Sequence, residues 1–260
     1  MKKRVRKKQL KRIQNGSLED IISLYKRAVK KNNYDLRYEA IDAMASDREY
    51  GEIDNNVRDI LLKELMQGDD YISSIIVDDL NDIYDENIVS YCLDNLQNED
   101  FFRKLVSAEY LGRHHKTEAI PTLKKLLSDS DDYVKVQAIE AMGRIGDIEV
   151  VPLLLDKLNH TEDDFLKSAY FAALYNLQGD IVWLAKLTEI LRSQDTMAQN
   201  RAANRLVQLT EGSVYYSEIL TALAKQIQVE TNETQKEELK QVYSELKAYG
   251  NAERKQNKAY

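Results

Sequence analysis

The sequence predicts an all-α fold: an α-solenoid of about seven antiparallel helix pairs wound into a curved superhelix. Three observations predict it. Apolar residues recur at helical spacing along most of the 260 residues. Strand signals are scarce, with no sustained alternation and no Asn-Gly turn between β-branched runs. The chain also repeats itself at intervals of 31 to 33 residues over its middle and later parts.

The elements follow in order. Leu18, Ile21, Ile22, Tyr25, Ala28 and Val29 share one helical face, with Ser17 placed as N-cap and Glu19 and Asp20 in the first turn. This opens a series of B helices, expected near 17–31, 54–67, 86–97, 117–128, 148–159, 180–193 and 213–229. The A helices that alternate with them are expected near 35–46, 71–83, 101–113, 133–145, 165–178 and 196–209. A more polar helix near 233–249 closes the series as an end cap. Gly112 and Gly143 are 31 residues apart, and so are Pro121 and Pro152, the two prolines of the chain. Proline is tolerated there because a first helical turn has no internal acceptor for the missing N–H. Gly146, Gly179 and Gly212 are spaced by 33 and fall where helices must stop in a left-handed residue. Met44, Leu80, Leu111, Met142, Leu174 and Leu206 occupy one core position of successive A helices.

The run Asp131-Asp132-Tyr133-Val134-Lys135-Val136-Gln137-Ala138-Ile139-Glu140-Ala141-Met142-Gly143-Arg144-Ile145-Gly146-Asp147, followed by Val150-Val151-Pro152-Leu153-Leu154-Leu155-Asp156-Lys157-Leu158, resembles the PBS-lyase-type HEAT-like repeat. The best repeats lie in 100–160, and the repeat is degenerate over 17–97. The resemblance implies a stack of helix pairs in which neither helix buries its apolar stripe alone. It implies little about activity, because such repeats serve enzymes, scaffolds and immunity-type proteins. It also implies that the B helices line the concave side.

Charge divides the chain into a basic N-terminal arm over 1–16, the repeat region over 17–250 and a polar tail over 251–260. The first 31 residues hold twelve Lys or Arg against two acidic residues, a local charge of +10 in a chain of net −7, which leaves −17 on the remaining 229. Lys2, Lys3, Arg4, Arg6, Lys7, Lys8, Lys11 and Arg12 form the arm proper. Such an arm suits phosphates, an acidic surface of its own chain or of a second copy, or solvent.

On the B helices, Ile120, Leu123 and Leu127 align with Val151, Leu154 and Leu158 and with Leu184, Leu187 and Leu191, and are expected in the core. The opposite stripe is Asn87, Tyr91 and Asp94; Glu118, Thr122 and Lys125; Glu149, Leu153 and Asp156; and Lys186 and Glu189. It is expected to face the groove and, being mixed in sign, to suit a protein surface. An ordinary solvated helix face is the competing reading for each residue.

Candidate chemistry is sparse. His114, His115 and Glu118 fall in a turn, and adjacent residues of a helix point apart, so a surface turn is favoured over a metal site. Cys92 aligns with core leucines and reads as a small buried residue. Trp183 reads as filling a gap between layers, with a binding platform as the alternative. Sixteen Tyr stand against four Phe, several of them near layer boundaries. Acidic pairs such as Asp131-Asp132 and Asp163-Asp164 sit at helix starts, where they cap; Asp78-Asp79 lies inside a helix and is expected on its exposed face. No catalytic residue, metal site or cofactor is expected. No segment approaches 18 uninterrupted apolar residues, which excludes a membrane-spanning helix and leads to the expectation of a cytoplasmic protein.

The expected function is a non-enzymatic protein-interaction scaffold or an inhibitor or immunity-type binder, with a protein partner whose identity the sequence leaves open. The alternative is a nucleic-acid- or ribosome-associated protein acting through the basic arm only. An enzyme on this fold is the third reading.

Overall fold

The computed structural model describes residues 16–46, 54–67, 70–210, 216–234, 236–237, 239–244 and 247. The basic arm, Lys2 to Arg12, and the tail over 251–260 lie outside the described residues. The chain divides into two compact units, Met1–His114 and His115–Tyr260.

Unit 1 holds α1 (Leu18–Lys30), α2 (Tyr34–Ser46), α3 (Asn55–Gln67), α4 (Asp70–Asp79), α5 (Glu86–Asn95) and α6 (Phe101–Arg113). The B helices are α1, α3 and α5, and the A helices are α2, α4 and α6. Successive helices pack as antiparallel pairs, α2 stacks on α4, and α4 on α6. The N-cap of α1 is the one expected: Ser17 Oγ accepts from the Asp20 N–H at 3.3 Å. Its buried face is Ile21, Ile22, Leu24, Tyr25 and Ala28, whereas Val29 is exposed. α4 ends earlier than expected because Asn81 N–H turns back to Asp78 O and Ile83 N–H to Leu80 O, closing the turn into α5. Asp78 is exposed and Asp79 half-buried.

Unit 2 holds a 3-10 turn (Thr117–Ala119) leading into α7 (Ile120–Leu126), then α8 (Asp132–Ile145). A second 3-10 turn (Ile148–Val150) leads into α9 (Val151–Asn159), followed by α10 (Asp164–Gln178), α11 (Ile181–Ile190), α12 (Thr196–Thr210) and α13 (Tyr216–Val229). Helical residues continue over 233–234, 236–237 and 239–244. The A helices here are α8, α10 and α12. Each B helix of the middle repeats starts with a 3-10 turn, and Pro121 and Pro152 stand in the first turn of α7 and α9, where no N–H is needed.

Aspartates set many of the other helix starts. Asp85, Asp100, Asp131, Asp163 and Asp180 each accept a backbone N–H two or three residues on. A cap of this kind is worth about 1 kcal/mol. Helix ends are set by Gly146 and Gly179, at φ +83° and +67°, each returning its N–H to the carbonyl four residues back. Gly212 lies outside the described residues.

The core follows the repeat. Met44, Leu80, Leu111, Met142, Leu174 and Leu206 are all buried. On the B helices of unit 2, eight of the nine expected core residues are buried, and Leu158 is half-buried. The two layers of unit 2 are packed differently. The A layer is tight: a Cβ on Gly143 would lie 2.6 Å from the Ala173 Cα, so only glycine lets α8 approach α10 this closely. The B layer is open: a groove of about 290 Å³ separates α11 from α13, lined by Ile181, Leu184, Ala185, Ile219 and Ala222 with Glu189 and Arg192 at its edge.

Candidate partner-binding surface

Most of the expected B-helix stripe lies on the surface. Asn87, Asp94, Glu118, Lys125, Glu149, Asp156, Lys186 and Glu189 are exposed, and Thr122 and Leu153 are half-buried. Tyr91 corrects the expectation. It is buried rather than projecting, with the Arg103 guanidinium lying 6.0 Å over its ring from α6. The stripe position brings Tyr91 against the next helix, where its apolar body packs and the arginine covers it. Several stripe groups are engaged locally. Asn87 Nδ2 donates to the capping Asp85 Oδ1 at 3.0 Å, and Lys186 pairs with Glu189 at 3.0 Å. Exposed pairs of this kind hold little energy.

In unit 2 the side chains of α8 and α12 meet across α10. Tyr133 Oη donates to Met197 Sδ at 3.5 Å, and Arg205 Nε donates to Glu140 Oε1 at 2.7 Å. The face of α10 they cover is the one away from α11, since Phe171 stacks on Trp183 of α11 with ring centroids 6.2 Å apart. The face they share belongs to the A layer of unit 2.

This A-layer face has a defined build. Tyr133, Phe165 and Met197 are each the second residue of their helix and recur every 32 residues. Phe165 is buried, with the Tyr133 ring edge-on at 5.2 Å. Tyr133 and Met197 remain 43% and 48% exposed, leaving an apolar ridge at the surface. One to two turns further along lies Glu140, buried within the α8 face and surrounded by three arginines. Arg201 Nη2 lies 2.6 Å from Glu140 Oε1, Arg205 chelates both carboxylate oxygens, and Arg144 Nη2 stands 3.7 Å away. The Arg201 guanidinium also lies 5.3 Å over the Phe165 ring. Ala169 and Ala172 of α10, the helix that this bridge crosses, are small and buried.

Burial pushes the Arg201 guanidinium down from its ordinary value, the Glu140 carboxylate opposes this, and Arg205 and Arg144 reinforce it. None of these residues was singled out from the sequence. A signal was present: Glu140 interrupts an otherwise apolar run, Ala138 to Met142, inside a helix.

The remaining candidates are structural in form. His114 Nε2 lies 3.0 Å from the Asn81 carbonyl, and its ring packs 4.4 Å from that of Tyr110. His115, at φ +53°, places Nδ1 2.6 Å from the Arg144 carbonyl. Among the described residues no group of three His, Cys, Asp or Glu is placed to hold a metal ion. Cys92 is fully buried in unit 1, and burial pushes its thiol up to about 12. Trp183 is half-buried; its indole N–H donates to Gln178 Oε1 at 2.8 Å, so the ring fills the seam between α10 and α11. Among the described residues no helix is long and apolar enough to cross a membrane.

Residues 92–174 match the family of HEAT repeats. Among solved structures, the complex of CpcE and CpcF of phycocyanin lyase from Nostoc sp. PCC7120 is similar in fold. Its TM-score is 0.59 at 19% identity, covering 89% of this chain and 96% of that one. An archaeal HEAT-like repeats protein from Thermococcus onnurineus NA1 overlays with a TM-score of 0.37 at 14% identity, covering 94% of this chain and 97% of that one. No curated protein matches the chain in sequence. Residues 92–174 carry HEAT repeats, and the chain has the fold of a HEAT-like α-solenoid.

Proposed function

We propose that the chain is a non-enzymatic scaffold or inhibitor-type binder that seats one protein partner on the A-layer face of unit 2. The observation that carries this reading is the exposed Tyr133–Met197 ridge, held on three stacked helices beside a cluster of arginines. Aromatic, methionine and arginine side chains on a rigid, partly desolvated surface are the residue types that dominate protein interfaces. The phycocyanin-lyase relative in fold is itself described as a complex of two proteins, CpcE and CpcF, which agrees with a role in pairing.

The B-helix stripe is the second candidate surface. Its eight exposed, mixed-sign residues and the groove between α11 and α13 favour it. The basic arm, Lys2 to Arg12, remains the carrier of the nucleic-acid alternative.

The test is affinity capture of the full-length chain from its own cells, with and without nuclease, comparing three variants. On the first reading, a stoichiometric protein partner survives nuclease and survives deletion of residues 1–14. It is lost from the Tyr133→Ser/Met197→Ser double variant and retained by Lys125→Glu/Asp156→Lys. Loss from the charge-reversed variant alone moves the site to the B stripe. Loss on nuclease treatment and on arm deletion, with a steep salt dependence, sinks both surfaces in favour of the arm.

A further inference from the structure

We propose that the groove between α11 and α13 docks an acidic, amphipathic helical segment of another protein, with aliphatic side chains in the groove and carboxylates on Arg192 and Lys225. The site lies on the B layer of unit 2. It goes beyond the reading above, which seats a partner on the A-layer face, and does not rest on it.

The repeat register explains why a groove opens here. Leu184 and Leu187 keep the core positions that Val151 and Leu154 hold in α9. Between them and beyond, the side chains shrink: Ala185 stands where α9 has Pro152, and Thr188 where it has Leu155. Across the groove α13 contributes Ala222. The hollow of about 290 Å³ over Leu184 and Ile219 continues past Thr188 and Ala222 into a second, of about 310 Å³, that ends at Leu191 and Val229.

The walls ask for an apolar occupant. Thr188 Oγ1 donates to the Leu184 carbonyl and Thr221 Oγ1 to the Ser217 carbonyl, each at 2.8 Å, so both hydroxyls are engaged within their own helices. Val229 is 68% exposed, the most exposed large apolar side chain among the described residues. Covering such a surface is favourable.

Charge selects which apolar segment fits. Lys186 and Glu189 neutralise each other at 3.0 Å on the rim. Arg192 and Lys225 line the second hollow from opposite helices, both exposed, and neither side chain has a hydrogen-bond or ion-pair partner among the described residues. Glu230 does not line the groove; it accepts from Gln199 Nε2 at 3.3 Å and from the Asn232 N–H at 2.9 Å. The rim therefore carries two positive charges in excess, in a chain of net −7. The chain's own ends are mismatched to it. The arm over 1–16 holds eight Lys or Arg and no acid, and the tail over 251–260 holds three against one Glu. A partner segment of opposite sign is complementary.

Length sets the form of that segment. α11 has 10 residues, about 15 Å of helix, which about three turns of a docked helix span. Such a helix places residues i and i+4 on one face, to enter the groove, and carries acidic residues one turn further on to the two cations.

The experiment is a fluorescence-anisotropy titration of the full-length chain. The probe is a labelled helical peptide of alanine and glutamine with leucines at i and i+4 and glutamates at i+7 and i+8. The same peptide with lysines for glutamates, a peptide of residues 1–14 of this chain, and octanoate serve as comparisons. The glutamate peptide is expected to bind and the lysine peptide not to. Arg192→Glu/Lys225→Glu is expected to weaken binding about tenfold, as two exposed ion pairs become repulsions. Ala185→Arg, at an exposed position, fills the groove while adding a favourable charge, and is expected to abolish binding. Circular dichroism checks that each variant keeps its helices. No binding of the glutamate peptide, equal binding of the lysine peptide, or unchanged affinity in either variant overturns the proposal. So does tighter binding of the 1–14 peptide, which makes the chain's own arm the occupant, or displacement by octanoate at lower concentration than the unlabelled peptide, which makes the groove a small-molecule site. Tyr133→Ser/Met197→Ser is expected to leave the peptide affinity unchanged, and a loss there removes the site from the B layer. If the peptide fails to bind while that double variant abolishes partner capture, the groove is refuted and the A-layer reading stands. If the peptide binds as expected and the double variant still captures its partner, the reverse holds.

Discussion

Glu64 in unit 1 and Glu140 in unit 2 are both nearly inaccessible, at 6% and 3% exposed, yet their surroundings differ in kind. Glu64 accepts from the Tyr25 hydroxyl and from Arg37, whose Nε lies 3.0 Å away, so one anion meets one cation and one neutral donor. The Tyr25 phenol is pushed up, by burial first and by the carboxylate beside it second, and stays protonated. That arrangement ties α1, α2 and α3 together. Glu140 meets three guanidiniums, Arg144 on its own helix and Arg201 and Arg205 from α12. The first staples neighbouring helices, whereas the second joins two helices across a third.

The largest expected effect separates the two directly. Glu140→Leu strands three arginines around an apolar side chain and should destabilise unit 2 by about 3–5 kcal/mol. Glu64→Leu leaves a single arginine that is already part-exposed, and should cost roughly half as much. Urea unfolding of each variant measures the contrast, and equal losses would remove it. Gly143→Ala comes next. Its Cβ would press on the Ala173 backbone at 2.6 Å and should cost about 1–3 kcal/mol, with α8 and α10 forced apart. Thermal unfolding monitored by circular dichroism reads it.

The alkaline limb sharpens the comparison regionally. Cys92, Tyr25 and Tyr110, all in unit 1, have values raised above their ordinary ones by burial. In unit 2 Tyr170 is raised in the same way, to about 12. A raised acid keeps its proton in the folded state after the unfolded chain has lost it. Stability is therefore intact below about pH 9 and falls as pH climbs towards 12. With more such groups, unit 1 should lose amide protection first in hydrogen exchange. Cys92 should also resist a thiol reagent at pH 8 until the chain unfolds. Smaller again is Asp131→Ala, which removes the cap of α8 and should cost about 1 kcal/mol in urea unfolding. Last, Lys125→Glu and Asp156→Lys should each shift stability by less than about 0.5 kcal/mol, as exposed residues away from any cap or core do.

The fold was legible in the sequence because a repeat states its register several times over. Both prolines, the glycines at 146 and 179 and the six-residue core ladder each mark a position that physical chemistry restricts, and they agree with one another. The A-layer face was not legible. Helical periodicity places a residue on a face of its own helix but does not say which helices it meets across the stack. The pairing of Glu140 with Arg205 spans 65 residues and two repeats, beyond any local pattern. Tyr91 was misplaced for a simpler reason: Arg103, on the following helix, covers it.

That 65-residue tie also bears on how the chain comes apart. A stack held only by neighbour contacts can fray one repeat at a time, with each boundary moving freely along the array. Here α8 and α12 grip each other over α10, so the middle repeat cannot melt without releasing both flanking ones. Melting of this stretch should be all-or-none across three repeats. Excising the middle repeat, harmless to an array of independent neighbours, would bring the wrong residues face to face.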